Sequence, residues 1–124
     1  DLSNPLLRDG DPLVITVDPT QEMFVNILLE DHENKLTLIF PNEFDLDSKI
    51  TGRTPIPIGD KYSIVARFPA DLSGNEIEEV IHVLTTPQKL ALLEEYSIED
   101  FNLKLMEIPN NQKRYVRKAY RLVR

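Results

Sequence analysis

Short apolar alternations cut off by proline are the feature that most narrows what this chain can fold into. In DPLVITVDP, Leu13, Ile15 and Val17 alternate with Val14 and Thr16 between Pro12 and Pro19. A period of two marks a strand with one buried face, and proline ends it by withholding a ladder N–H. MFVNILLEDHENKLTLIFP then reads as a hairpin, with Val25, Ile27 and Leu29 on one face of its first arm and Leu36, Leu38 and Phe40 on one face of its second. The polar run Glu30–Asn34 is of hairpin-loop length, and Asn34 suits a left-handed position.

The next breaks continue the pattern. Pro41-Asn42 opens an acidic run that reaches Gly52, and Pro55 and Pro57 then restrict TPIPI to a sheet edge. KYSIVARF alternates again, with Tyr62, Ile64, Ala66 and Phe68 on one face. After a loop at Ser73-Gly74-Asn75, EEVIHVLTT reads as a strand buried on both sides. At Thr86-Pro87 the period changes. Pro87 suits a first helical residue, with Leu90, Leu93 and Tyr96 following at helical spacing. Ser97-Ile98-Glu99-Asp100 resembles a capping box that starts a second helix through Phe101, Leu105 and Met106, ended by Pro109. In RYVRKAYRLVR, Tyr115, Arg117 and Ala119 fit a strand while Val116, Tyr120 and Val123 fit a helix face; a final strand returning to the sheet is preferred.

These elements predict a mainly β chain: an antiparallel β-sandwich of immunoglobulin-like architecture with one or two short helices near the C-terminus. Residues 1–124 are read as one domain with a helical insertion at about 87–108. Val25, Ile27, Leu29, Leu36, Leu38, Phe40, Ile64, Phe68 and Leu84 are expected to share one core. The length of 124 residues suits one domain, and 41% hydrophobic with 28% charged residues suits a globular chain. Its apolar runs are strand-sized, well short of the roughly 20 residues that span a bilayer, so no membrane insertion is expected. The absence of cysteine excludes disulfides, thiolate metal sites and cysteine catalysis. An opening at Asp1, with neither methionine nor an apolar leader, is expected of a domain excised from a larger protein or of a processed product.

At Ile39-Phe40-Pro41-Asn42, with Gly52 and Pro57 downstream, the chain resembles the bacterial domain of unknown function 4384 (DUF4384). The likeness covers about Pro12–Pro87 and includes the PLVITV strand and the Leu84–Pro87 ending; it departs at Asn34, where the family often has glycine. The resemblance implies a β-sandwich module appended to larger exported or envelope-associated bacterial proteins, and therefore a periplasmic or secreted location. It implies no catalytic residues. Physically, Phe40 completes an inward face, Pro41 ends the ladder, and Asn42 starts a crossover, so the acidic run is expected to connect two sheets.

Each candidate chemistry meets an objection. Asp45-Leu46-Asp47-Ser48-Lys49 has alternating acids like a calcium loop, but Lys49 stands where an oxygen ligand is needed. Asp9-Gly10-Asp11 is ordinary turn chemistry. His32 and His82 lack local partners for zinc, which takes about three or four ligands, and His82 reads as a half-buried strand histidine. Ser63 has no glycine elbow, the Ser73-Gly74 loop has no nearby base, and Glu78-Glu79 precede a strand and point to opposite faces. The four glycines form no phosphate loop.

Net charge is −7, yet residues 113–124 hold six bases and no acid, leaving the preceding 112 with eight bases against 21 acids, net −13. Tyr115 and Tyr120 among these bases could stack on nucleotides, but an acidic body repels phosphate. No nucleic-acid partner is expected, and the basic end is expected to pack against its own domain.

The reading is therefore a non-enzymatic accessory module without cofactor or metal, binding a neighbouring domain or a protein partner through the Thr54–Ile58 edge or the helical cap. An alternative is a small-ligand or cation binder using the acidic crossover: Asn42, Glu43, Asp45, Asp47 and Arg53. An unrecognised hydrolase is the third reading.

Overall fold

The computed structural model describes residues 4–124. In chain order the elements are β1 (Leu6–Arg8), β2 (Ile15–Val17), β3 (Met23–Glu30), β4 (Lys35–Phe40), β5 (Lys49–Ile50), β6 (Thr54–Ile56), β7 (Glu76–Thr86), β8 (Glu95–Ser97), helix α1 (Ile98–Met106) and β9 (Arg114–Val123). A single 3-10 turn, Asn110–Gln112, precedes β9. The protein is mainly β, with one short helix near the C-terminus and a sandwich-like pair of unequal sheets. The larger has seven strands in the order β1-β9-β7-β3-β4-β8, with β5 also on β3; the smaller is the pair β2-β6. All pairings are antiparallel except β1 with β9.

The hairpin forms where alternation predicts it. Asn34 takes φ 63° in the β3–β4 loop, as its short amide side chain permits. The acidic run after β4 does connect the sheets, with β5 pairing briefly on β3 before the chain reaches β6 in the small sheet. Pro55 lies in β6, a strand with one neighbour, β2, among the described residues. Tyr62–Phe68 keeps its inward face, Ala66 and Phe68 being buried, but forms no continuous strand. It docks by single backbone bonds to the Asp9–Leu13 turn, Gly10 N–H reaching Ala66 O (2.7 Å) and Leu13 N–H reaching Ile64 O (2.7 Å).

The expected single core is instead two. Pairing shifts between Ile27–Phe40 and Leu28–Leu38, so one step along β3 matches two along β4 and Ile39 is the extra residue of a bulge. A bulge reverses the alternation beyond it. Phe40 therefore packs with Val25, Ile27, Leu29, Ile64 and Phe68 beneath the small sheet. Leu36 and Leu38 point the other way, with Leu28, toward Tyr96 and Phe101. Leu84 is buried on this second face, two residues along β7 from His82.

A second correction concerns residues 87–96. No helix forms from Pro87; residues 87–94 are irregular and Glu95–Ser97 is a strand at the edge beyond β4. Leu38 N–H bonds Glu94 O at 2.8 Å and Leu36 pairs Tyr96. An isolated two-turn helix is marginal in water, so satisfying the open edge of β4 wins over local propensity. The second helix is present as expected: Ser97 Oγ accepts Asp100 N–H at 3.1 Å, and Phe101 on α1 is fully buried against the sheet. The helical part of the expected 87–108 insertion is thus confined to Ile98–Met106.

The ambiguous C-terminal stretch is strand β9, placed between β1 and β7 and paired with β7 from Arg114 to Val123. Three of the six basic residues at 113–124 are engaged by the domain itself. Lys113 Nζ donates to Leu105 O (2.8 Å) and Ile108 O (2.6 Å), satisfying carbonyls at the end of α1. Arg121 lies 3.7 Å from Glu76, and the Arg124 guanidinium sits 4.4 Å from the Phe68 ring centroid.

Candidate functional site

The most concentrated chemistry lies on the face of the large sheet that α1 covers. Glu30 ends β3, His82 is the middle of β7, and Tyr115 is near the start of β9. His82 is 1% exposed. Its Nε2 lies 2.7 Å from Glu30 Oε1, and its Nδ1 meets the Tyr115 hydroxyl. An ionised carboxylate only accepts, so Nε2 carries the imidazole proton and Nδ1 accepts from the Tyr115 O–H. Asn34 Nδ2 donates to the second Glu30 oxygen at 2.8 Å, so the left-handed loop residue also fixes the carboxylate. The Phe101 ring meets His82 edge-on at 5.5 Å between centroids, while Tyr115 stacks on it.

Burial pulls His82 below its usual value, against the opposing pull of Glu30. Burial pushes Glu30 upward, but hydrogen bonds from Asn34 and His82 and the nearby positive charge of Arg117 outweigh it and hold the carboxyl low. Burial pushes Tyr115 upward and keeps it a donor. The consistent state is carboxylate, neutral imidazole and phenol. Such a row could move a proton, but each atom of the row is bonded, and neither of the concavities described below is lined by Glu30, His82 or Tyr115. It ties β3, β7 and β9 together beneath α1.

The sign of the acid response follows. A histidine held below its ordinary 6.5 lets the unfolded chain bind more protons as pH falls past that value, so stability drops on acidification. Glu30, held low, contributes stability that is lost further into acid. Glu79 opposes both: burial raises it, so it favours the folded state as pH falls toward the usual carboxylate range. Its carboxylate accepts the Tyr120 O–H at 2.5 Å on the opposite face. Urea midpoints measured at pH 7.5 and 5.5, for the native protein and His82→Gln, separate these groups. The native midpoint is expected to fall more than that of the variant. A native midpoint that rises in acid, relative to the variant, would show a charged His82–Glu30 pair instead.

The residues singled out from the sequence are placed as follows. Asn42 and Asp45 are brought together by reciprocal backbone bonds of 3.1 Å. The Asn42 side chain also bonds Ile39 O (2.9 Å) and Phe44 N–H (2.9 Å), starting the crossover. Asp45 Oδ2 is enclosed with no hydrogen-bond partner. Asp47 accepts Lys49 N–H at 3.0 Å, Arg53 lies 3.7 Å from Asp18, and Glu43 is exposed. These groups do not converge on one point. Among the described residues, no group of three or more His, Cys, Asp or Glu side chains is placed to hold a metal ion. Asp9 accepts Phe68 N–H and Asp11 accepts Arg8 N–H, each at 2.8 Å, so both serve the turn.

The sequence pattern assigns Glu30 to the loop, leaves His82 half-buried without a local partner, and puts Glu79 ahead of its strand. The structure places Glu30 and Glu79 inside β3 and β7 and buries His82 completely. One signal was available: a histidine in the middle of a strand read as buried on both faces must bring hydrogen-bond partners with it.

Beside this network, β8 and α1 form an open concavity of about 950 Å³ at the edge of the large sheet. Leu93 and Leu103 line it at 66% and 60% exposure. Five acids (Glu33, Glu95, Glu99, Asp100 and Glu107) outnumber Lys35 and Lys104 around it, and each of those lysines is paired with one of the acids. Among the described residues no helix is long and apolar enough to cross a membrane.

Fold and site together define a β-sandwich module with a helix-capped sheet face. Residues 7–89 match the family model described as domain of unknown function (DUF4384), and the chain belongs to that family. No curated protein and no solved structure gives a significant match.

Proposed function

We propose that this domain is a non-catalytic interaction module of an exported or envelope-associated bacterial protein, and that β8 and α1 receive a neighbouring domain or protein partner. The observation that carries the reading is the pair of exposed leucines, Leu93 and Leu103, in a concavity rimmed by an excess of acids. Apolar side chains inside a charged rim are the usual anatomy of a docking surface, and the charge calls for a partner face rich in Lys and Arg. The tie formed by Glu30, His82 and Tyr115 supports it by holding α1's platform rigid. A nucleic-acid partner is disfavoured by the internal use of Lys113, Arg121 and Arg124.

The test is hydrogen exchange on the isolated domain and on the full-length gene product, with its partner if one copurifies. Amides of Glu95–Glu107 are expected to exchange more slowly in the larger context. A Leu93→Asp, Leu103→Asp double variant should keep the melting temperature and lose that protection. Equal exchange in both contexts, or protection that survives the double variant, would overturn the reading.

A further inference from the structure

The small sheet leaves part of the large one uncovered. β2 and β6 lie over the core built around Val25, Ile27 and Phe40, and a groove of about 500 Å³ remains between the Pro12–Thr16 segment and the floor supplied by β7 and β9. Val83 is opposite Val116 and Ile81 opposite Lys118, so the valine and the lysine of β9 share the face that lines the groove. Val14 and Val116 at its mouth are 62% and 49% exposed.

The polar groups are few and specific. The Tyr120 hydroxyl is already used by Glu79. Of the side chains lining the groove, that leaves the Thr16 hydroxyl and the Lys118 ammonium, and Lys118 has no ion-pair partner among the described residues. A peptide laid along this floor would bring amides that these side chains cannot satisfy, whereas an alkyl chain brings none. One cation beside an apolar slot calls for one anion at the end of an apolar chain. The volume lies within the range of small-molecule sites, roughly 300–1,000 Å³.

We propose that the domain binds a long-chain carboxylate here, its alkyl chain along Leu7, Leu13, Ile15, Ile81, Val83 and Val116 and its headgroup at Lys118. The site is on the opposite face from the β8–α1 concavity and does not depend on the docking role. Chain length carries the affinity, since each methylene withdrawn from water adds favourable free energy. Lys118 sets the sign of the headgroup and the direction in which the chain enters.

The experiment titrates the whole domain with dodecanoate, below its micelle concentration, and follows methyl resonances by NMR. Saturable one-to-one binding is expected, with the Val83 and Val116 methyls shifting most, and octanoate binding more than about tenfold more weakly. Dodecyltrimethylammonium, with the opposite charge on the same chain, should bind less tightly, and Lys118→Glu should reverse that order. Val116→Trp, at an exposed strand position that tolerates an aromatic ring, should fill the groove and abolish binding while the melting temperature is kept. Absence of saturable dodecanoate binding, equal affinity for the two headgroups, or binding that survives Val116→Trp in the folded variant would each overturn the assignment.

Discussion

Removing residues 113–124 is expected to abolish cooperative unfolding altogether. The deleted segment is almost wholly β9, which lies between β1 and β7 and pairs with β7 from Arg114 to Val123. Its loss strips two strands of a neighbour at once, exposing ladder groups of β7 and leaving β1 with no partner. It also removes Tyr120 and Leu122, 4% and 0% exposed, whose burial stabilises by about 1.5–3 kcal/mol each for side chains of this kind. Glu79 would lose its hydroxyl donor, His82 its Tyr115 contact, and α1 the ammonium at its C-terminal carbonyls. Against a total stability of about 5–15 kcal/mol for a typical domain, these losses leave no folded population. Thermal melting followed by near-ultraviolet circular dichroism checks this. A truncated chain that melts as the intact one does would show that the basic end is a free arm.

Phe40→Ala is expected to cost about 3–5 kcal/mol. Phe40 is fully buried, and it follows the bulge at Ile39 that aims it beneath the small sheet. The alanine leaves a cavity bounded by β-sheet on both sides, where rigid pairing limits collapse. Urea denaturation of the variant measures the loss directly. A value below about 1 kcal/mol would place the ring outside the core and undo the reading of the Phe-Pro-Asn junction.

The parts of the fold legible in the sequence are those carried by neighbours along the chain. The alternation in β2, β3 and β7, the left-handed Asn34, the Ser97 cap and the edge position forced by Pro55 all depend on residues a few places apart. The final strand at 114–123 is legible in the same way, because Tyr115, Arg117 and Ala119 alternate onto one face of the sheet. The family resemblance rested on the same local marks and is matched by the family model over residues 7–89.

What misled was local information that a distant partner overrules. Pro87–Tyr96 has good helix formers at helical spacing, yet the open edge of β4 takes Glu94–Ser97 as a strand. Leu36 and Leu38 alternate with Phe40 in the sequence, but the bulge at Ile39 sends them to the opposite core. No composition signal marks that extra residue, because a bulge is set by how two strands meet.

The carboxylate–imidazole–phenol row shows the same division at the level of chemistry. His82 lies 52 positions from Glu30 and 33 from Tyr115, so no local motif joins them. Sequence by itself determined that the chain is mainly β, where most strands begin and stop, and that α1 starts at a Ser97 cap, because steric limits, missing N–H groups and side-chain periodicity act within a few residues. Tertiary structure alone decided which sheet face receives each leucine, that Glu95–Ser97 becomes the edge beyond β4, and that Glu30, His82 and Tyr115 meet. Those outcomes depend on strand order and register, which are set by the balance of contacts between segments far apart in the chain.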